Sequence, residues 1–312
     1  MPNKDSAEPD TAFARLFETA TGPAIRTAVV HPCDALSLSA AIEAAERELL
    51  DPVLVGPEAR IRAAAEELGA SLDGIDIAPA PHSHAAAELG VELVRKGAAK
   101  ALMKGKLHTN EVMAAAVDRH KGLRTERRMS HVFVLETAAY PKWLFVSDGA
   151  INIAPDLNCK KSIVQNAIDT ARAVGVDSPA VAILSATEEV DSNIPSTIDA
   201  AALCKMADRG QITGGRVDGP LAFDLAVSAD SVRVKGLKSE VAGEADILIV
   251  PNLEAGNMVA KQLDYLAGAS AAGIVLGAKA PIILTSRADS VIERLASCAL
   301  AKHLVAWQER EQ

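Results

Sequence analysis

The sequence predicts an α/β protein whose parallel sheet is covered by helices on both faces, and three observations carry that prediction. Short apolar runs alternate along the chain with longer segments of helical period. The runs are apolar throughout, not at every second residue, as in strands buried on both faces. The turns between them are brief and rich in Gly and Pro, which suits βαβ units.

Each element follows in order. After a polar start and a short helix near 11–19, residues 25–30 (IRTAVV) read as the first strand, closing at His31-Pro32. Segment 37–50 is a helix: Ser37 is its candidate cap, and Leu38, Ile42, Ala45 and Leu49 form a stripe at helical spacing. Strand 52–55 closes at Gly56-Pro57, helix 58–68 at Gly69, strand 75–78 follows, and helix 84–96 stops at Gly97. Strand 101–103 runs into Lys104-Gly105-Lys106, helix 110–117 comes next, and then a basic connection with Arg119, His120, Lys121, Arg124, Arg127 and Arg128. Segments 130–136 and 143–146 read as two joined strands, 161–174 as a helix, 180–184 as a strand and 195–209 as a helix stopped by Gly210. Val217-Asp218-Gly219-Pro220 reads as a turn. Strand 246–250, helix 255–266, strands 274–276 and 282–284 and helix 291–304 complete the chain.

A chain of 312 residues suits two domains. The change from βαβ units to paired strands near 130–146 is the candidate border. It gives a first domain of 1–138 plus 280–312 and a second of 139–279. A formal charge of −9 and 3% aromatics argue against nucleic-acid binding. Four scattered cysteines read as reduced thiols of a cytoplasmic protein, and the histidines and cysteines show no metal-ligand spacing, so no metal is expected. The polar start is no signal peptide, and Gly268, Gly273, Gly277, Lys279 and Pro281 break the longest low-polarity stretch, so no membrane span is expected.

The stretch 281–293 (PIILTSRADSVIE) holds the candidate chemistry. A strand ending at Thr285-Ser286-Arg287 and feeding a helix start brings a hydroxyl, a guanidinium and backbone N–H groups together, which favours an anion, a phosphate above all. Asp289 and Ser290 are candidate caps, and Glu293 lies one turn into the helix. The same residues also fit a plain strand-to-helix corner.

Several stretches, SDGAINIAPDL (147–157), VPNLEAGNMVAKQL (250–263) and ILTSRADSVIERLAS (283–297), resemble the phosphate acetyltransferase and phosphate butyryltransferase family. Segment 194–224 resembles the acetyltransferase part of MaoC-like hydratase–phosphate acetyltransferase proteins. The resemblance implies two α/β domains with a cleft between them, similar to isocitrate and isopropylmalate dehydrogenases, and usually a homodimer. It implies transfer of a short acyl group, acetyl first, between coenzyme A and inorganic phosphate by direct attack, with no cofactor besides the substrate coenzyme A. By the same resemblance Ser286 and Arg287 steady the reacting groups, Glu293 is the base with Asp289 as nearby competitor, and Ser130 contacts phosphate. Lys104, Lys106, Asn252, Glu254 and Asn257 are further candidates for substrate contact, with Asp148 and Asn152 beside them; helix capping is the alternative for Asn252 and Asp289. A family Arg falls on Ala114, so Arg127, Arg128 or Lys106 would have to replace it. Phosphate butyryltransferase and a non-catalytic acyl-CoA or acyl-phosphate binding protein are the alternatives.

Overall fold

The computed structural model describes residues 12–286 and 288–311. They form two compact units. The first reaches Arg127 and resumes at Ala272; the second is Arg128–Ala271. In chain order the first unit has α1 (Ala14–Thr19), β1 (Ile25–Val30), α2 (Ala35–Glu46), β2 (Leu50–Gly56), α3 (Glu58–Leu68), β3 (Asp76–Pro79), α4 (Ser83–Arg95), β4 (Ala101–Lys104) and α5 (Thr109–Ala116). The second has β5 (Ser130–Thr137), β6 (Tyr140–Ser147), α6 (Leu157–Ala173), β7 (Ala180–Leu184), α7 (Pro195–Asp208), β8 (Arg216–Leu221), α8 (Phe223–Val227), α9 (Ala229–Lys235), β9 (Ile247–Ile249) and α10 (Leu253–Leu266). The chain then makes β10 (Ser270–Leu276), β11 (Ile282–Ile283) and α11 (Val291–Glu311).

The borders differ from the expected 138/139 and 279/280. Strands β5 and β6 are antiparallel partners, Phe133 opposite Val146 and Val134 opposite Phe145, so the pair stays in one unit.

In the first unit the strands lie in the order β3-β2-β1-β4-β11-β10. All neighbours run parallel except β10 and β11. The strands are apolar because helices cover them: Val29, Val30, Leu54, Val55 and Leu102 are fully buried. The chain leaves β1 toward β2 and β3, then returns to place β4 on the other flank of β1. Parallel sheets bind ligands at the carboxyl ends of strands beside such a reversal.

One glycine lets the chain close that point. Gly105 N donates to Val30 O at 2.8 Å and Lys106 N to His31 O at 2.9 Å. A Cβ at position 105 would sit 2.5 Å from Val30 O, so no other residue fits without moving β1. Nearby, Asp34 and not Ser37 caps α2, its carboxylate accepting from Ser37 N at 2.9 Å, because Asp reaches the third helical N–H from one turn earlier.

In the second unit the order is β5-β6-β9-β7-β8, parallel apart from β5 and β6. The expected turn at 217–220 is strand β8. It is the edge strand of this sheet, a place where Pro is tolerated, and a Cβ at Gly219 would meet Ile183 O at 2.7 Å. Helix α9 was not expected from the sequence; it buries no residue, so it leaves no apolar period to read.

Candidate active site

The carboxyl edge of β1, β4 and β11 gathers polar groups. In register, Ile283 pairs with Met103 and Val30 with Lys104. His31, Lys104-Gly105-Lys106 and Thr285-Ser286 therefore leave three adjacent parallel strands at one end. His31 is buried, its Nδ1 2.8 Å from Lys106 O. Lys104 Nζ donates to Gly105 O at 3.3 Å, and Lys106 Nζ lies 3.7 Å from Asp34 Oδ2. Lys106 is exposed, and its pairing with Asp34 contributes little to stability at that distance. The Asp34 carboxyl is held below its usual range: burial pushes it up, and hydrogen bonds from Ser37 together with the Lys106 charge pull it down by more.

The turn after β11 is held by its own side chains. Asp289 Oδ2 accepts from Ser286 N at 2.6 Å, and Ser286 Oγ accepts from Ala288 N at 3.3 Å. Ser290 and Glu293 form a reciprocal pair: Ser290 N donates to Glu293 Oε2 at 2.7 Å, and Glu293 N to Ser290 Oγ at 3.3 Å. That is a capping box, worth about 1 kcal/mol to the helix start. Ser290, not Asp289, thus starts α11. The N–H groups of Ser286, Ala288 and Ser290 are occupied by this chain's own oxygens. Arg287, the expected phosphate-holding residue, lies outside the described residues.

Exposure separates the members of this turn. Ser286 is exposed and Asp289 half-buried, whereas Glu293 is only 4% exposed. The buried Arg294 donates from its backbone N to Ser290 O and from Nη2 to Asp289 O, which pins the turn from beneath. Ala114 lies on the exposed face of α5 and brings no charge.

The remaining candidates belong to the second unit. Asp148 is 2% exposed, and its two oxygens accept from the N–H groups of His131, Ala150, Ile151 and Asn152 and from Asn152 Nδ2. Asn152 Nδ2 also donates to Met129 O at 2.9 Å. The SDGAIN motif is thus a loop folded around its own carboxylate. Ser130 is fully buried, its Oγ accepting from Asn166 Nδ2 at 2.8 Å; in this structure it ties β5 to α6 and touches no open surface. Asn252 caps α10, accepting from Ala255 N at 2.9 Å, the capping alternative named above. Glu254 and Asn257 are exposed on the first turns of α10, with Asn257 Nδ2 donating to Gly149 O at 3.3 Å. Gly149 and Gly256 let the two loops meet: a Cβ at 256 would lie 2.7 Å from Asp148 O, and one at 149 would lie 2.9 Å from Phe133 Cε2.

Two groups here escaped the sequence reading. The fully buried His131 stacks edge-on against Phe133 at 4.3 Å between ring centroids, and burial holds its imidazole neutral well below the usual histidine range against the opposing pull of Asp148. The buried Lys160 pairs with Asp199 Oδ2 at 2.7 Å, joining α6 to α7. A strand-start His and a helix Lys carry no spacing that marks them in a sequence.

Residues 82–302 match the model of the phosphate acetyl/butaryl transferase family. The chain is 58% identical to the phosphate acetyltransferase of Rhizobium meliloti over 94% of this chain and 92% of that one. It is 41% identical to the phosphate butyryltransferase of Clostridium acetobutylicum, over 88% of this chain and 92% of that one. Among solved structures, the branched-chain phosphotransacylase of Enterococcus faecalis superposes with a TM-score of 0.78 at 29% identity, over 90% of this chain and 99% of that one. The motifs at 147–157, 250–263 and 283–297 all fall within the matched span, and the chain is a transferase of the phosphate acetyl/butyryl transferase family.

Proposed function

We propose that the protein is a phosphate acetyltransferase, moving acetyl between coenzyme A and inorganic phosphate. The observation that carries the reading is the 58% identity to a phosphate acetyltransferase over nearly the whole of both chains. The first unit adds a chemical rationale. The exposed Ser286, two lysines and two carboxylates leave the same edge of adjacent strands.

Attack by a thiol on acetyl phosphate needs three things. The proton must leave sulfur, because an ordinary thiol near pKa 8.5 is only a few per cent ionised at pH 7. Asp289 and Glu293 are the carboxylates within this turn. The phosphate must be held as it departs with the C–O electron pair; Lys104, Lys106 and Arg287 are the cations for that, with Arg287 offering a planar fork. The developing oxyanion needs a donor, the role proposed for the Ser286 hydroxyl. Ser130, Asn252, Glu254 and Asn257 remain candidates for substrate contact. For Ser130 this requires its hydroxyl to turn from Asn166.

We propose further that the enzyme works in the cytoplasm as a homodimer. The four free cysteines, Cys33, Cys159, Cys204 and Cys298, suit a reducing compartment. Among the described residues no helix is long and apolar enough to cross a membrane. Beside α10 an apolar cavity of about 590 Å³ is lined by Leu184, Phe223, Val250, Val259, Leu263 and Leu266, and Met258, Tyr265 and Leu266 stand exposed on the same helix, a surface suited to a second copy.

The test is release of coenzyme A from acetyl-CoA with and without phosphate or arsenate, with butyryl-CoA in parallel. Phosphate-dependent release is expected, faster with acetyl-CoA. Faster turnover of butyryl-CoA would favour the second reading, a phosphate butyryltransferase, to which the 41% identical relative points. No release with any short acyl-CoA would sink both.

A further inference from the structure

We propose that His31 touches substrate: its Nε2 accepts a hydrogen bond from an N–H or O–H donor on the pantetheine arm of coenzyme A. The assignment rests on the acyltransferase reading and deepens it by naming a residue that serves one substrate and not the other.

His31 follows β1 at the reversal of the first sheet, the place where parallel sheets hold ligands. Its backbone is left-handed, with φ at 56°, a conformation that residues with a side chain seldom adopt and that glycine takes freely. The surroundings hold it there: His31 N donates to Val55 O at 2.6 Å, and its carbonyl accepts from Cys33 N at 2.8 Å and from Lys106 N at 2.9 Å. A side chain kept on such an over-determined backbone points to a functional role.

His31 is 5% exposed. Its Nδ1, 2.8 Å from Lys106 O, carries a proton, because a carbonyl only accepts. In the neutral ring Nε2 is then an acceptor. No described residue partners it. Nor is it one of the sealed, partnerless side-chain atoms of the described residues, which are His131 Nδ1 and Asn166 Oδ1, so the small open part of His31 includes Nε2. A buried, braced imidazole thus turns one acceptor outward.

Position decides which substrate meets it. Ser286 leaves β11, and β4 lies between β11 and β1, so His31 and the Ser286 turn stand roughly 10 Å apart across the sheet. A phosphate or acetyl phosphate seated at Ser286 does not span that distance. Coenzyme A with its thiol at the Ser286 turn does, and its arm carries the amide N–H groups and hydroxyl that an outward acceptor fits.

His31→Asn tests the contact. Asn tolerates the left-handed backbone and keeps an N–H for Lys106 O, so the outward Nε2 is what the variant loses. In the direction from acetyl phosphate to acetyl-CoA, the KM for coenzyme A rises about 3–10-fold, and the Kd from calorimetric titration with coenzyme A rises alike. The KM for acetyl phosphate, kcat and Tm stay at wild-type values. Pantetheine, assayed as a competitor of coenzyme A, weakens by the same factor. In His31→Gly, which fits the backbone but also gives up the bond to Lys106, the same rise is expected. The assignment is overturned if His31→Asn binds coenzyme A as the wild type does, if the KM for acetyl phosphate rises equally, if pantetheine is unaffected, or if His31→Gly alone shows the loss, which would make His31 a brace for Lys106. Wild-type turnover is measured first: its absence sinks the acyltransferase reading, whereas turnover with an unaltered KM for coenzyme A in His31→Asn sinks this assignment alone.

Discussion

The turn after β11 and the loop after β6 look alike in sequence, TSRADS against SDGAIN, yet they spend their carboxylates differently. Asp148 gives both oxygens to five donors of its own neighbourhood and lies almost wholly inside the protein. Asp289 and Glu293 each take a backbone N–H of their own turn, but Ser286 and Asp289 keep open surface. A small polar motif at a strand end is thus a scaffold when its acceptors all turn inward, and keeps polar groups open to a ligand when part of the set faces out. The contrast yields a ranking by loss of stability.

The largest loss belongs to Asp148→Ala, which strands several buried N–H groups at once. We expect about 3–5 kcal/mol in urea unfolding of the intact chain, and a change under 1 kcal/mol would place Asp148 with the reactive loop instead. Next comes acid. The folded state holds His131 neutral, while the unfolded imidazole titrates near 6.5. Below that pH the unfolded chain binds the extra proton, so the contribution is full above about 6.5 and is lost as pH falls, by up to about 1.4 kcal/mol per pH unit. His131→Phe should flatten that part of the stability–pH curve; an identical slope in the variant would assign it to other groups.

Ser290→Ala removes one half of the capping box and should cost about 1 kcal/mol, read as a lower Tm. The smallest loss is at Ser286→Ala, within about 0.5 kcal/mol, because its hydroxyl accepts a single 3.3 Å bond at the surface. Its effect should appear in kcat/KM, down about 10–100-fold. A Ser286→Ala protein that loses stability but keeps turnover would erase the distinction between the two loops.

Much of this was legible in the residues, and the misses have physical causes. Strands 25–30 and 180–184 and helix 58–68 match the structure end to end, since apolar runs and Gly punctuation coincide there with real boundaries. The β8 segment was misread because Asp218-Gly219-Pro220 are turn formers, and only the edge position that makes them tolerable as a strand reveals their role. The adjacency of the strand ends carrying Lys104 and Ser286 was not legible, because no local pattern records which strands pair. The Ser290–Glu293 box has a local signature, S-x-x-E, and Ser290 was readable as a candidate cap. The meeting of Gly149 with Gly256 was not readable, because no local pattern records an approach between loops a hundred residues apart.

Strand β11 sits between β4 and β10, and α11 then anchors back on the beginning of the chain, with Lys302 Nζ donating to Glu48 O at 2.9 Å and His303 Nε2 2.9 Å from Leu16 O. An interior strand of the first sheet is therefore made after the whole of the second unit. During synthesis the residues from 128 to 271 are complete while the first unit still lacks most of β10 and all of β11 and α11. The first sheet can therefore close, and the turn carrying Ser286 take its place, only after the second unit has been synthesised.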